Sequence, residues 1–156
     1  MFIKSLFLLI FSASTMFSME VDEPWTVLVK QCNQEKFYVR FPDDPVFELE
    51  NGKYHFYHQT EEAEHHLEIE KREQLEKERV FQEVMQRLEN SKEIAIENVN
   101  QDKNSLEVVL SSKKENTKTI QKMIVTDQNV FTFKTQSSDF RVNDHNQFVD
   151  SFSLIS

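Results

Sequence analysis

VFELENGKYHFYH, residues 46–58, holds the one glycine of a 156-residue chain. Two aromatic-rich runs flank an Asn-Gly pair. A two-residue Asn-Gly loop favours a type I′ turn, whose twist suits two antiparallel strands. That turn pairs Glu50 with Lys53, Leu49 with Tyr54, Glu48 with His55, and Phe47 with Phe56. Phe47, Leu49, Tyr54 and Phe56 then share one face. Glu50–Lys53 and Glu48–His55 share the other, with compatible charges. A slip of one residue would mix the two sets, so the register is specified.

Period-two alternation continues on both sides. In FYVRF, residues 37–41, Phe37, Val39 and Phe41 face one way and Tyr38 and Arg40 the other. This is the pattern of a half-buried strand. Pro42 and Pro45 bracket Asp43 and Asp44 and end it. Upstream, residues 25–29 (WTVLV) read as a first strand and Asn33-Gln34-Glu35 as a turn.

Residues 61–79 read two ways. EEAEHHLEIEKREQLEKER could open a long helix, with Glu68/Arg72 and Glu73/Lys77 as i,i+4 pairs. His65, Leu67 and Ile69 also alternate with polar residues. The better reading is a strand near 63–69 and then a helix from about 71 to 90. Leu75, Phe81, Val84, Met85 and Leu88 give that helix one apolar stripe, and Asn90-Ser91 ends it. Strands follow at 94–99, 105–110, 119–125 and 130–134, joined by polar Asn/Asp/Ser turns. A short C-terminal helix is expected from an N-cap at Asn143 or Asp144, with Phe148, Val149 and Phe152 inward.

The expectation is an α+β domain. It has an antiparallel, meander-like sheet, one long helix packed on one face and a short C-terminal helix.

Residues 1–18 read as a secretory signal peptide, and 19–156 as a single domain. Lys4 is the n-region, Leu6–Phe11 an apolar run, and small residues follow at Ser12, Ala13, Ser14 and Ser18. The run falls short of the roughly 20 residues a membrane span needs, so no stable membrane insertion is expected after cleavage. The expected address is periplasmic or secreted.

The chain carries a net charge of −9; without residues 1–18 it has 17 basic and 27 acidic residues, a net −10. Such a surface disfavours nucleic acid, whose binding relies on Lys/Arg neutralisation. One glycine excludes GxGxxG and P-loop phosphate cradles, and no cofactor is expected. Cys32 stands alone, so no intrachain disulfide forms. It reads as a buried inert thiol.

Two segments look familiar. FYVRFPDDP (37–45) is similar to the F-x-V-x-F-P-x-x-P segment of PsbP-like proteins, and FVDSFSL (148–154) to their F-x-x-S-F ending. The chain also resembles uncharacterised exported proteins of chlamydia-like bacteria. The resemblance implies a PsbP-like fold over most of residues 25–155 and a non-enzymatic accessory role. The glycine-containing stretch that follows the long helix in that family is here SKEIAIENV (91–99), without glycine.

Four histidines, His55, His58, His65 and His66, are candidate metal ligands. His55 and His58 point to opposite faces of a strand, as do His65 and His66, so at most two converge. Tyr38 and Tyr57, with Phe131 and Phe133, are candidates for an exposed aromatic patch that docks a partner. No nucleophile elbow is present, and no catalytic residue is assigned.

The reading is an exported, non-enzymatic binding or accessory module that docks a protein partner on the sheet face left bare by the helix. One alternative is a carrier of a small apolar ligand between sheet and helix. Another is a hydrolase without a recognisable constellation.

Overall fold

A computed structural model of the chain describes residues 25–72 and 76–156. The expected signal peptide and Leu75 of the helix stripe lie outside the described residues. The opening hairpin forms in the expected register: β3 (Val46–Glu50) meets β4 (Lys53–Gln59), with Phe47 opposite Phe56 and Glu50 opposite Lys53. Asn51 and Gly52 both have positive φ, 51° and 78°, as a type I′ turn requires.

β4 continues into β5 (Ala63–Lys71), which keeps strand pairing as far as Lys71 opposite Asn129. Helix α1 therefore starts later than expected and spans Lys77–Glu89, 13 residues. β6 (Ile94–Gln101), β7 (Ser105–Ser112), β8 (Lys118–Val125) and β9 (Asn129–Ser137) form the expected meander. All pairs are antiparallel, in the order β3-β4-β5-β9-β8-β7-β6.

The first two strands stay outside this sheet. β1 (Thr26–Cys32) and β2 (Glu35–Phe41) pair with each other, and a C-terminal strand β10 (Ser153–Ile155) adds to β2. Between β9 and β10 lies α2 (Val142–Asp150), nine residues. The expected α+β layout, one sheet with one long helix over one face, is thus wrong. The protein is mostly antiparallel β, in two sheets, with two short helices.

The cause is the apolar side of β2. Phe37, Val39 and Phe41 are fully buried against Phe56, Leu67, Ile69, Phe131 and Phe133 of the large sheet. Two apolar faces bury each other when stacked as layers. The Pro42–Pro45 segment stops β2, so the chain can leave one sheet and enter the other. α2 completes this layer with Phe148 and Val149.

The opposite face of the large sheet carries α1. Phe81 and Val84 pack on Leu106, Val108, Leu110, Met123, Val125 and Val130. Among the described residues no helix is long and apolar enough to cross a membrane.

Candidate functional site

β3 is the edge strand of the large sheet, and each of its five residues is exposed. Val46, Phe47 and Leu49 keep 52 %, 52 % and 61 % of their surface. Phe47 stacks along the sheet on Tyr54 and Phe56, with ring centroids 6.2 and 5.1 Å away, and no layer covers it. The other side of β3 is acidic, with Glu48 and Glu50, and Tyr57 donates a hydrogen bond to Glu48 at 2.8 Å. The far edge of the sheet differs. β6 carries a register irregularity between Ile96 and Asn98 and ends in exposed polar residues. Bulges and polar ends are common ways to blunt an edge; β3 pairs without a register shift, and only Glu48 and Glu50 blunt it.

Tyr38 and Tyr57, expected to share a docking patch, do not come together. Tyr57 sits on the α1 side of the large sheet, opposite Val46 and His66. Tyr38 pairs with Val29 and Ser153, on the side of β2 away from its buried Phe37 and Val39. Phe131 and Phe133 are fully buried core.

The four histidines divide by face, as period two demands. On the α1 side, His55 Nδ1 lies 3.1 Å from His66 Nε2, and the rings stack. Burial lowers the pKa of His66 to about 4, helped by the Lys134 ammonium and His55 and opposed by Glu68. On the other side, His58 stands opposite His65. His65 packs edge-on against Trp25 and Phe148, and neither of its ring nitrogens has a hydrogen-bond partner. The fifth histidine, His145 of α2, contacts Thr135 Oγ1 through Nδ1 at 2.9 Å, while its Nε2 is unpartnered. Burial lowers both His65 and His145 to about 4. Among the described residues no group of three or more His, Cys, Asp or Glu side chains is arranged to hold a metal ion. Cys32 is buried, and burial raises its thiol to about 11, against the pull of Lys30.

A cleft of about 540 Å³ opens between α1 and the large sheet. It is half open and of mixed chemistry. Val80, Val84 and Leu88 of α1 form one wall, continued by Ile94, Leu110, Met123 and Val130. Thr119, Gln121, Thr132 and Lys134 lie on the floor. Five cations line it (Lys53, Lys71, Arg72, Arg87, Lys134) against three carboxylates (Glu68, Glu70, Glu83).

Each carboxylate is already engaged. Lys53 reaches Glu68 at 3.2 Å and Glu70 at 3.0 Å, and Arg79 reaches Glu83 at 3.2 Å. Burial alone would raise the Glu68 carboxyl; the Lys134 and Lys53 ammonium groups overcome it and hold it below its ordinary value. Sequence reading offered a ligand space between sheet and helix only as an alternative, for an apolar ligand, and assigned none of these lining residues to it. The cleft's signal was a polar column (Thr119, Gln121, Thr132, Lys134) alternating with buried residues in two central strands.

In comparison with known proteins, no family model and no curated protein matches the chain. The likeness to PsbP-like proteins rests on its two short motifs alone.

Proposed function

We propose that this is an exported, non-enzymatic binding module that docks a protein partner along β3. The observation that carries this reading is the strand itself: an edge of five exposed residues, three of them large and apolar. An unpaired, extended edge is a template for a further strand, and main-chain hydrogen bonds to it supply affinity. The side chains state what that strand should carry. Apolar residues would lie beside Phe47 and Leu49 on one face, and Lys or Arg beside Glu48 and Glu50 on the other. Asp43 and Asp44, just before β3, extend the acidic flank.

The test uses the double variant Phe47→Glu/Leu49→Lys, which alters exposed side chains only. A partner captured from the envelope fraction by the native protein should be lost by the variant, with circular dichroism unchanged. Equal capture by both proteins would remove β3 from the interface.

A further inference from the structure

We infer that the cleft between α1 and the large sheet binds a small amphipathic anion, an apolar tail bearing a carboxylate. The site is separate from the docking edge, since none of its lining residues belongs to β3.

The first support is a pair of buried polar groups. Gln121 and Thr132 retain only 9 % and 5 % of their surface, and both line the cleft. Neither side chain makes a hydrogen bond among the described residues. Neither is among the side chains with a fully enclosed, unpartnered nitrogen or oxygen, so their polar atoms reach the solvent of the cleft. Here the amide and hydroxyl border an open space that a ligand oxygen can enter.

The second support is charge. The three cleft carboxylates have cationic partners in Lys53 and Arg79. Arg87 and Lys134 form no salt bridge within 4 Å among the described residues, although the Lys134 ammonium also acts on Glu68 from farther away. The cleft is therefore net positive on a chain of net charge −9. A cationic spot on an acidic protein attracts an anion locally, against the protein's overall field.

The third support is the wall. Val80, Val84, Leu88 and Met123 offer an aliphatic surface to the same space that Lys134 and Gln121 enter. Ligand sites typically have this build, mostly apolar walls with a few convergent polar groups, at volumes of about 300–1,000 Å³. A fully apolar ligand would leave Gln121, Thr132 and Lys134 unsatisfied; a wholly polar anion would leave the wall wet.

Decanoate is the probe, titrated into the ¹⁵N-labelled protein and followed by calorimetry and amide shifts. Decanoate should bind at least about tenfold more tightly than decyltrimethylammonium, which has the same tail and the opposite charge. The Gln121 side-chain amide signals should move. Lys134→Glu should weaken decanoate about tenfold or more, and Lys134→Gln by less. Leu49→Lys should leave the affinity unchanged. If Lys134→Glu does not fold, Lys134→Gln carries the comparison. The inference is overturned if decanoate does not bind, if the cationic analogue binds equally well, if both Lys134 variants bind like the native protein, or if the shifts gather around Phe47 and Leu49.

Discussion

Against one face of the seven-stranded sheet lie β1, β2, β10 and α2; against the other lies α1 alone. The first interface is aromatic and closed. Phe37, Phe41, Phe56, Phe131, Phe133 and Phe148 are all buried there, and Phe37 meets the rings of Phe56, Phe131 and Phe152 within 6.5 Å. The second is aliphatic, and one short helix covers it incompletely, leaving the cleft at its border with β4 and β5. One sheet therefore does two jobs. A full layer of strands spends one face on stability. A 13-residue helix cannot span seven strands, so the other face keeps groups available for binding.

The difference should appear in large-to-small substitutions. Phe37→Ala removes a ring wedged between two sheets, where neither layer can close the gap alone. A loss of about 4–5 kcal/mol is expected. Phe81→Ala removes the central anchor of α1, but the helix borders an open cleft and can settle toward the sheet. About 3 kcal/mol is expected there. Urea unfolding of both variants measures the pair. Equal losses, or the reverse order, would mean that α1 is clamped as firmly as the small sheet.

Much of this fold was legible. Alternation in FYVRF placed β2 and its two faces, and pairing across Asn51-Gly52 placed β3 and β4 and their register, because period two and turn chemistry are local. The partition into two sheets was not. The apolar side of Phe37, Val39 and Phe41 is satisfied equally by joining a sheet or by lying on one, and no local signal distinguishes these. The single long helix expected from residue 71 failed for a related reason: pairing with β9 holds β5 extended through Lys71, overriding its charged, helix-compatible sequence. The split of the histidines by face was readable from period two alone. The burial of His145 was not, since it sits in the polar run Asn143–Gln147. Gln121, Thr132 and Lys134 were not singled out, because nothing in α1 announces which strands it covers.

The closed face also carries a pH liability that the open one shares only through His66. His65 and His145 are buried and neutral, with pKa values lowered to about 4 from an ordinary 6.5. Between those values the unfolded chain binds protons that the fold refuses. Stability is therefore full above pH 6.5 and falls as pH drops from 6.5 toward 4. Each buried imidazole accounts for a loss on the order of 2 kcal/mol. Glu68 titrates below its ordinary value, so its ion pairs persist through most of this window. His65→Phe keeps an aromatic ring against Trp25 and Phe148 and deletes two unpartnered nitrogens. Removing an unsatisfied buried group by a similar shape is neutral or stabilising. The variant should match the native protein at pH 7.5 and exceed it by about 2 kcal/mol at pH 4.5. Melting curves across this range decide; a native protein with flat stability from pH 7.5 to 4.5 would show that the closed face admits charge.

The smallest effects should come from the turns that begin the two layers. Both the β1–β2 and β3–β4 hairpins close through two residues of positive φ, Asn33-Gln34 and Asn51-Gly52. Gln34 sits at φ 74° with a side chain, in a region where L-residues are strained by about 1 kcal/mol; Gly52 sits at φ 78° without one. A Cβ at Gly52 would meet nothing within 4 Å, so backbone strain is the only penalty. Gly52→Ala should thus lose about 1 kcal/mol, and Gln34→Gly should gain somewhat less, because glycine also loosens the unfolded chain. Asn33 Nδ2 donates to Asn129 Oδ1 at 2.8 Å, and the Asn129 amide reaches the Cys32 carbonyl and Glu35, which ties the first turn to the large sheet. That tether holds Gln34 in its strained backbone, whereas the β3–β4 turn has no such brace and relies on glycine. Denaturant midpoints for the two variants should move in opposite directions. A gain from Gly52→Ala would mean that the edge hairpin does not need its left-handed turn.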